Sequence, residues 1–142
     1  MIHYTHYTTN KDGFVTDGGL AQFLHVHLEQ YGDSQVDIQK AVNYVFEKGG
    51  HITVQYYEDK PSGAVVVNQT GMGGYIPENI LVYIAVRDDL RGKGLGKKLM
   101  NEVLGCIDGD VALHVEKDNP AKFLYESLGF TNPYLEMRLK RK

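Results

Sequence analysis

The residues with the clearest chemical potential are Arg91, Gly92, Lys93, Gly94, Leu95, Gly96 and Lys97, a run that places three glycines and three cations in seven positions. An anion seat is the chemistry that such a run suits. Backbone N–H groups at a turn that opens a helix point outward unpaired, and the helix N-terminus carries partial positive charge. Glycine lets a phosphate approach the backbone and lets the chain adopt positive φ. Spelling excludes two nucleotide motifs. A P-loop needs Gly, four residues, then Gly-Lys and Ser or Thr; here Arg91 stands where the first Gly is required and Lys98 where the hydroxyl is required. The dinucleotide fingerprint needs a third glycine three residues after the second; counted from Gly92 that position is Lys97, and from Gly94 it is Leu99. What fits is Arg91-x-x-Gly94-x-Gly96.

The elements around this run must hold it. Residues 80–86 are seven apolar residues in a row, the length of a buried strand. After the turn, Leu95, Leu99, Met100, Val103, Leu104 and Ile107 recur with a helical period. Strand, glycine turn and helix therefore follow one another directly. Upstream, alternation predicts a strand over residues 1–9, then a loop over 10–19. Leu20, Phe23, Leu24, His27, Leu28 and Tyr31 share one helical face and predict a helix over 19–31, ended by Gly32. Ser34 reads as the cap of a second helix carrying Ile38, Ala41, Val42, Val45 and Phe46, stopped by Gly49 and Gly50. Strands are expected over 51–57 and 64–69, with a turn over 58–63 that contains Pro61 and Gly63, and then a loop over 70–79. Downstream come a strand over 111–115, a helix that Asn119 and Pro120 open and Gly129 closes, and a last strand over 134–140 with Leu135, Met137 and Leu139 on one face. The order β-α-α-β-β-β-α-β-α-β-β indicates an α/β fold, a mixed sheet with helices on its faces.

The strand, the Arg-x-x-Gly-x-Gly turn and the helix, together with Asn119-Pro120-Ala121-Lys122-Phe123-Leu124-Tyr125-Glu126-Ser127-Leu128-Gly129-Phe130, resemble the acyl-coenzyme A signature and tail segment of the GNAT superfamily of N-acetyltransferases. The resemblance covers nearly the whole chain. It implies one N-acetyltransferase domain over residues 1–142, with a GNAT-like mixed, mostly antiparallel sheet and helices on both faces. It implies acetyl-coenzyme A as co-substrate and direct transfer of the acetyl group to a primary amine of a small molecule or a protein. Strands 80–86 and 111–115 are expected to splay apart, with the pantetheine arm in the gap. Cofactor contacts are then expected from Ile84, Ala85 and Val86, from Arg91, Gly92, Lys93, Gly94, Leu95, Gly96 and Lys97, and from Asn119, Lys122 and Tyr125.

Acyl transfer sets further demands. An alkyl amine with pKa about 10.4 is neutral only to the order of 0.04% at pH 7, so a base or a desolvated pocket must raise that fraction. An oxyanion donor is needed, and a backbone N–H near Ile84 to Val86 is expected to serve. The leaving thiolate gains from a proton donor, and the resemblance assigns that role to Tyr125; the alternative is a helix tyrosine packed on the sheet. Asn119 would bind the cofactor arm, or be a plain helix cap, or both. The base is open. Histone-type members carry a glutamate where this chain has Ile80, so Glu78 and His114 are the candidates, with a water relay as a third route. The missing glutamate also motivates a reading without turnover, an acyl-coenzyme A-binding sensor or scaffold.

Composition narrows the partners. The 142 residues are 42% hydrophobic and 23% charged with net charge −3, ordinary for a globular domain and without the basic field that nucleic acid demands. The basic cluster Arg138, Lys140, Arg141 and Lys142 reads as a solvated end. Cys106, the only cysteine, is expected to be a small, partly buried packing residue in a reducing, cytoplasmic setting. His25 and His27 face differently on their helix and the other histidines show no ligand spacing, so no metal is expected. The longest apolar run is too short to span a membrane. The two early helices and the 70–79 loop are expected to wall the acceptor side, where Glu29, Asp33 and Asp37 are read as solvated rather than as amine-binding. Edge strands near the C-terminus are expected to allow a homodimer.

Overall fold

The computed structural model describes residues 1–10 and 12–141; Lys11 of the expected 10–19 loop and Lys142 of the basic cluster lie outside the described residues. Strands β1 (Ile2–Tyr7), β2 (Gly50–Tyr57), β3 (Lys60–Gln69), β4 (Asn79–Val86) and β5 (Val111–Leu113) form one sheet in the order β1-β2-β3-β4-β5. The first three pairings are antiparallel and β4–β5 is parallel. Helices α1 (Gly13–Thr16), α2 (Gly19–Leu28), α3 (Gln35–Glu47), α4 (Leu95–Leu104) and α5 (Ala121–Ser127) complete the order. A 3-10 turn, Glu29–Tyr31, extends α2 to the expected end. The short α1 replaces part of the expected loop, because Asp12 Oδ1 accepts the Phe14 N–H at 3.0 Å and starts a helical turn.

The helices divide between the two faces. Leu20, Leu24, Ile38, Val42 and Val45 of α2 and α3 pack on Ile52, Val54 and Val66. Leu99, Met100 and Val103 of α4, with Tyr125 of α5, pack on Val65, Val67 and Leu81. Alternation along β3 thus feeds both cores, and each fully buried aliphatic side chain contributes about 1.5–3 kcal/mol. Ser34 caps α3 as its position suggests, its hydroxyl accepting the Asp37 N–H at 3.2 Å. The β2–β3 turn is tighter than expected. Glu58 and Asp59 alone make it, both at positive φ (52° and 64°), the geometry of a two-residue hairpin turn. Pro61 consequently lies within β3, beside a register shift near Ser62, where a missing donor is tolerated.

Two expectations at the C-terminal end are corrected. The strand expected over 111–115 stops at Leu113, and the strand expected over 134–140 does not form. Tyr134, Leu135, Met137 and Leu139 are 77–90% exposed. Alternation marks a segment able to be a strand, but a strand also needs an edge to pair with. Here β5 offers three residues. The final β-β of the sequence order is therefore absent among the described residues, and the sheet has five strands.

Candidate active site

The glycine turn lies between β4 and α4. Gly92 and Gly94 have φ of 81° and 76°, and Gly94 is the left-handed N-cap of α4. The first helical bond runs from Lys98 N–H to the Gly94 carbonyl at 3.2 Å. Among the described residues, the amides of Gly92, Lys93, Gly94, Leu95, Gly96 and Lys97 donate to nothing in the protein. Six free donors at the positive end of a helix form an anion seat. Lys93 and Lys97 are exposed beside it and have no ion-pair partner among the described residues. At Gly96 a Cβ would meet Leu124 Cδ2 at 3.5 Å and Val86 Cγ2 at 3.8 Å, ordinary contact distances, so packing against α5 does not itself require a glycine there.

Arg91 is not a free cation at the seat. Its guanidinium donates to the Val86 carbonyl at 3.2 Å, to the His27 carbonyl, and to Glu29 Oε2 at 3.3 Å. It ties the turn to the end of α2, and Glu29 offsets its charge. Glu29 is thereby a partner of the turn and not the solvated helix end expected of it. Gln55, fully buried on β2, supports α4 from below: its Nε2 donates to the Leu95 carbonyl and the Tyr4 hydroxyl, both at 3.2 Å, while its Oε1 accepts from Ser62 at 3.2 Å. Gln55→Ala should lower unfolding free energy by about 1–3 kcal/mol, the range for stranding buried polar groups, as read by urea denaturation. A polar residue inside an apolar alternating strand was the available signal for Gln55.

Strands β4 and β5 part company in mid-sheet. Their pairing runs Asn79–Val111, Ile80–Ala112, Leu81–Leu113 and then ends, so the β4 edge from Val82 to Val86 faces a gap. Ile84, Ala85 and Val86 lie on that edge, as expected of them. A bulge accompanies the parting: Val66 pairs with Tyr83 but Val67 with Leu81. Val82 and Tyr83 therefore both face the α2–α3 core, while Leu81 and Ile84 face α4 and α5.

The bulge and the splay sort the candidates for the base. Glu78 precedes β4 at its closed end, and its Oε1 accepts the Asp110 N–H at 2.9 Å. That bond holds the Glu78 carboxyl below its usual pKa. The structure does not bring Glu78 to the gap. His114 follows Leu113, the last β5 residue paired with β4, and is exposed at the mouth of the splay. On β4, the Tyr83 hydroxyl donates to Asp33 Oδ2 at 2.5 Å. Burial, reinforced by the Asp33 hydrogen bond and charge, pushes the Tyr83 phenol far up. Asp33, read from the sequence as a solvated helix end, is thus a partner of β4, held in the link between the Glu29–Tyr31 turn and α3. Only the fold joins it to β4.

Tyr125 is 8% exposed on α5. Its hydroxyl has no hydrogen-bond partner among the described residues, and no buried side-chain N or O lacks one, so that hydroxyl reaches solvent. Burial first, and then the Glu116 charge, raise its pKa to about 12. The ring is held by the helix end. Gly129, at φ 97°, lets the Phe130 N–H reach the Tyr125 carbonyl at 3.0 Å while the Gly129 N–H bonds Glu126 at 3.0 Å. This closing motif sets the Phe130 ring edge-on to Tyr125 at 6.0 Å. Asn119 is engaged as a cap, its Oδ1 accepting the Ala121 N–H at 2.9 Å and its amide meeting Glu116 at 3.3 Å. The Lys122 ammonium rests 5.6 Å from the centre of the Phe123 ring. Cys106 is exposed, not the partly buried packing residue expected, because α4 ends at Leu104 and leaves Cys106 in the following turn.

Residues 48–132 match the acetyltransferase (GNAT) domain. A protein of Pseudomonas phage PaMx11 named 5-NmdU N-acetyltransferase is 39% identical over 57 residues, covering 39% of this chain and 41% of that protein. The chain thus matches about two fifths of that relative's length. A structure described as a possible acetyltransferase from Clostridium difficile 630 superposes with TM-score 0.70 at 21% identity, covering 99% of this chain and 97% of the other. An aminoglycoside N-acetyltransferase in complex with CoA gives TM-score 0.70 at 14% identity, covering 100% of this chain and 97% of the other. These two likenesses concern the fold.

Proposed function

The chain belongs to the GNAT acetyltransferases, and on that premise we propose that it transfers an acetyl group from acetyl-coenzyme A to a primary amine of a small molecule or protein, by direct attack within one domain. The observation that carries this reading is the coincidence of the free amides at Gly92–Lys97 with the unpaired β4 edge at Val82–Val86. Phosphate oxygens need donors without side-chain obstruction, and an amide-bearing arm needs strand edge without a partner. Both are present and lie one turn apart in sequence. Acetyl-coenzyme A supplies an activated acetyl group on a good leaving thiol.

The protein groups do the rest. Gly92 to Lys97 hold the diphosphate, with Lys93 and Lys97 adding charge, while Arg91 keeps the turn in place. Ile84, Ala85 and Val86 offer backbone to the arm, and one of their amides lies where charge on the carbonyl oxygen develops. Asn119 and Lys122 bound the arm from α5. Tyr125 donates a hydrogen bond to the departing sulfur. Asp33, held by Tyr83, attracts the acceptor's ammonium, and His114 receives its proton. Glu78 is the less suited base because its carboxylate braces Asp110.

Two measurements test the reading. Acetyl-coenzyme A at about 100 times its Kd should add roughly 2.7 kcal/mol to stability, read as a rise in melting temperature of protein stripped of coenzyme A. Free-thiol release across a panel of amines, including the compound in the phage relative's name, should then show turnover. Among the described residues, no helix is long and apolar enough to cross a membrane. Thermal stabilisation without thiol release from any amine supports instead the sensor or scaffold reading, which Ile80 and the occupied Glu78 favour. No stabilisation at millimolar acetyl-coenzyme A removes both.

A further inference from the structure

Away from the gap, His6, His51 and Cys106 converge on the α4 side of the sheet. Their ligand atoms all lie within 4.8 Å of one another. His6 Nδ1 is 2.9 Å from His51 Nε2, and Cys106 Sγ is 3.8 Å from the same His6 nitrogen. The other nitrogen of His6, Nε2, meets Glu102 Oε2 at 2.8 Å. Thr53, which pairs with His6 across the β1–β2 ladder, places its hydroxyl 2.9 Å from His6 Nδ1. Strand β1 supplies one member, β2 the second, and the turn after α4 the third.

The arrangement has the form of a metal site rather than of a packed histidine pair. With Nε2–H donated to Glu102, His6 Nδ1 carries a single in-plane lone pair. Two groups meet that lone pair, His51 Nε2 and the Thr53 hydroxyl, and Cys106 Sγ lies beside the same ring, 3.8 Å from Nδ1 and 4.0 Å from Nε2. A carboxylate on the outer nitrogen of a ligating histidine is the usual device for fixing its tautomer. Two imidazoles and a thiol form a nitrogen–sulfur set that suits zinc and not magnesium or calcium. Tetrahedral zinc with bonds of about 2.0–2.1 Å to nitrogen and 2.3 Å to sulfur separates its ligands by about 3.3 Å (N–N) and 3.6 Å (N–S). The 2.9 Å nitrogen pair needs a shift below about half an ångström to match, whereas Cys106 Sγ, 3.8 Å from His6 Nδ1 and within 4.8 Å of both other ligand atoms, must swing toward the histidines by rotation of its exposed side chain. His51 is 7% exposed, whereas Cys106 is open to solvent, so the site has a buried base and an entrance.

We propose that His6 Nδ1, His51 Nε2 and Cys106 Sγ bind one zinc ion, with Glu102 orienting His6 and a water completing the coordination. Both imidazoles bind neutral, and the Cys106 thiol proton passes to buffer as the zinc–sulfur bond forms. The ion clamps β1 and β2 to the C-terminal end of α4. The anion seat is at the other end of that helix, about 15 Å away at 1.5 Å per residue, so the ion is a staple and not part of acetyl transfer.

The test uses untagged full-length protein, cleared with chelator and titrated with cobalt(II) as a spectroscopic stand-in for zinc. The expected result is a one-to-one complex with a thiolate-to-cobalt charge-transfer band and the strong visible bands of four-coordinate cobalt, both abolished by excess zinc. Cys106→Ser, at an exposed position, should fold normally and lose the charge-transfer band. Glu102→Gln should weaken binding about 10–100-fold. Zinc should also slow alkylation of Cys106 by iodoacetamide at least tenfold and raise the melting temperature of the wild type but not of Cys106→Ser. A wild-type spectrum without the thiolate band, or an alkylation rate indifferent to zinc, overturns the proposal and leaves a hydrogen-bonded His6–His51–Thr53 network only.

Discussion

Gly94→Val should abolish the thermal stabilisation by acetyl-coenzyme A while leaving a folded protein. Gly94 caps α4 at φ 76° and ψ 9°, a conformation that a β-branched residue enters only at a cost of about 1–3 kcal/mol. A Cβ there meets nothing within 4 Å, so the damage comes from backbone conformation and not from a clash. The turn relaxes to negative φ, and the amides of Gly92 to Lys97 no longer point to one place. Each hydrogen bond to a charged group is worth about 1.5–3 kcal/mol. Losing two weakens binding by roughly 3–6 kcal/mol, or on the order of 10²–10⁴-fold. That cuts the 2.7 kcal/mol expected at about 100 times the wild-type Kd to about 0.4 kcal/mol or less. The fold survives because a penalty of this size is a fraction of the usual 5–15 kcal/mol. Gly94→Asn is the control, since Asn tolerates the left-handed region and should keep more of the shift than Val. A full shift in Gly94→Val would place the diphosphate elsewhere.

Tyr125→Phe should lower kcat about tenfold to a hundredfold with little change in the KM for acetyl-coenzyme A. The hydroxyl acts on charge that appears as the sulfur leaves, so its effect lies in the transition state and not in ground-state binding. Its pKa of about 12 keeps it protonated at neutral pH. The same value makes full transfer to a thiolate, whose ordinary pKa is about 8.5, uphill. The contribution is therefore a strong hydrogen bond, at the low end of the 10²–10⁴ range of general acid catalysis or about tenfold below it. Phe keeps the edge-on contact with Phe130, so packing loss does not confuse the result. The raised pKa has a second consequence. Between pH 10 and about 12 the unfolded chain loses this proton before the folded one does. Stability from Tyr125 is thus fully present below pH 10, falls as pH rises through that window, and should fall less in Tyr125→Phe. Unchanged kcat in Tyr125→Phe, where chemistry limits turnover, would return the residue to a packing role.

Much of this site is written locally. A strand run, a glycine turn and a helix period stand side by side in residues 80–107. Each is a statement about φ, ψ and periodicity over a few residues, so the sequence alone determined the turn, its positive-φ glycines and the helix it opens. The same holds for Ser34 at the start of α3 and for Gly129 closing α5 so that Phe130 folds back on Tyr125. The tertiary structure decided what depends on partners distant in the chain. The bulge at Val82 comes from pairing with β3 and breaks the alternation along β4, and Glu78 turns to the Asp110 N–H because β5 pairs beside it. Arg91 meets Glu29 and the His27 carbonyl because the end of α2 lies against the turn, and Asp33, in the link from α2 to α3, reaches Tyr83 because those helices pack on the same face of the sheet. The stripe of Leu135, Met137 and Leu139 stays uncovered because pairing needs an edge, and β5 is three residues long. His6, His51 and Cys106 show no ligand spacing in sequence because each comes from a different element. Local conformation depends on neighbouring residues, whereas a side chain's partners depend on which elements the sheet register and helix packing bring together.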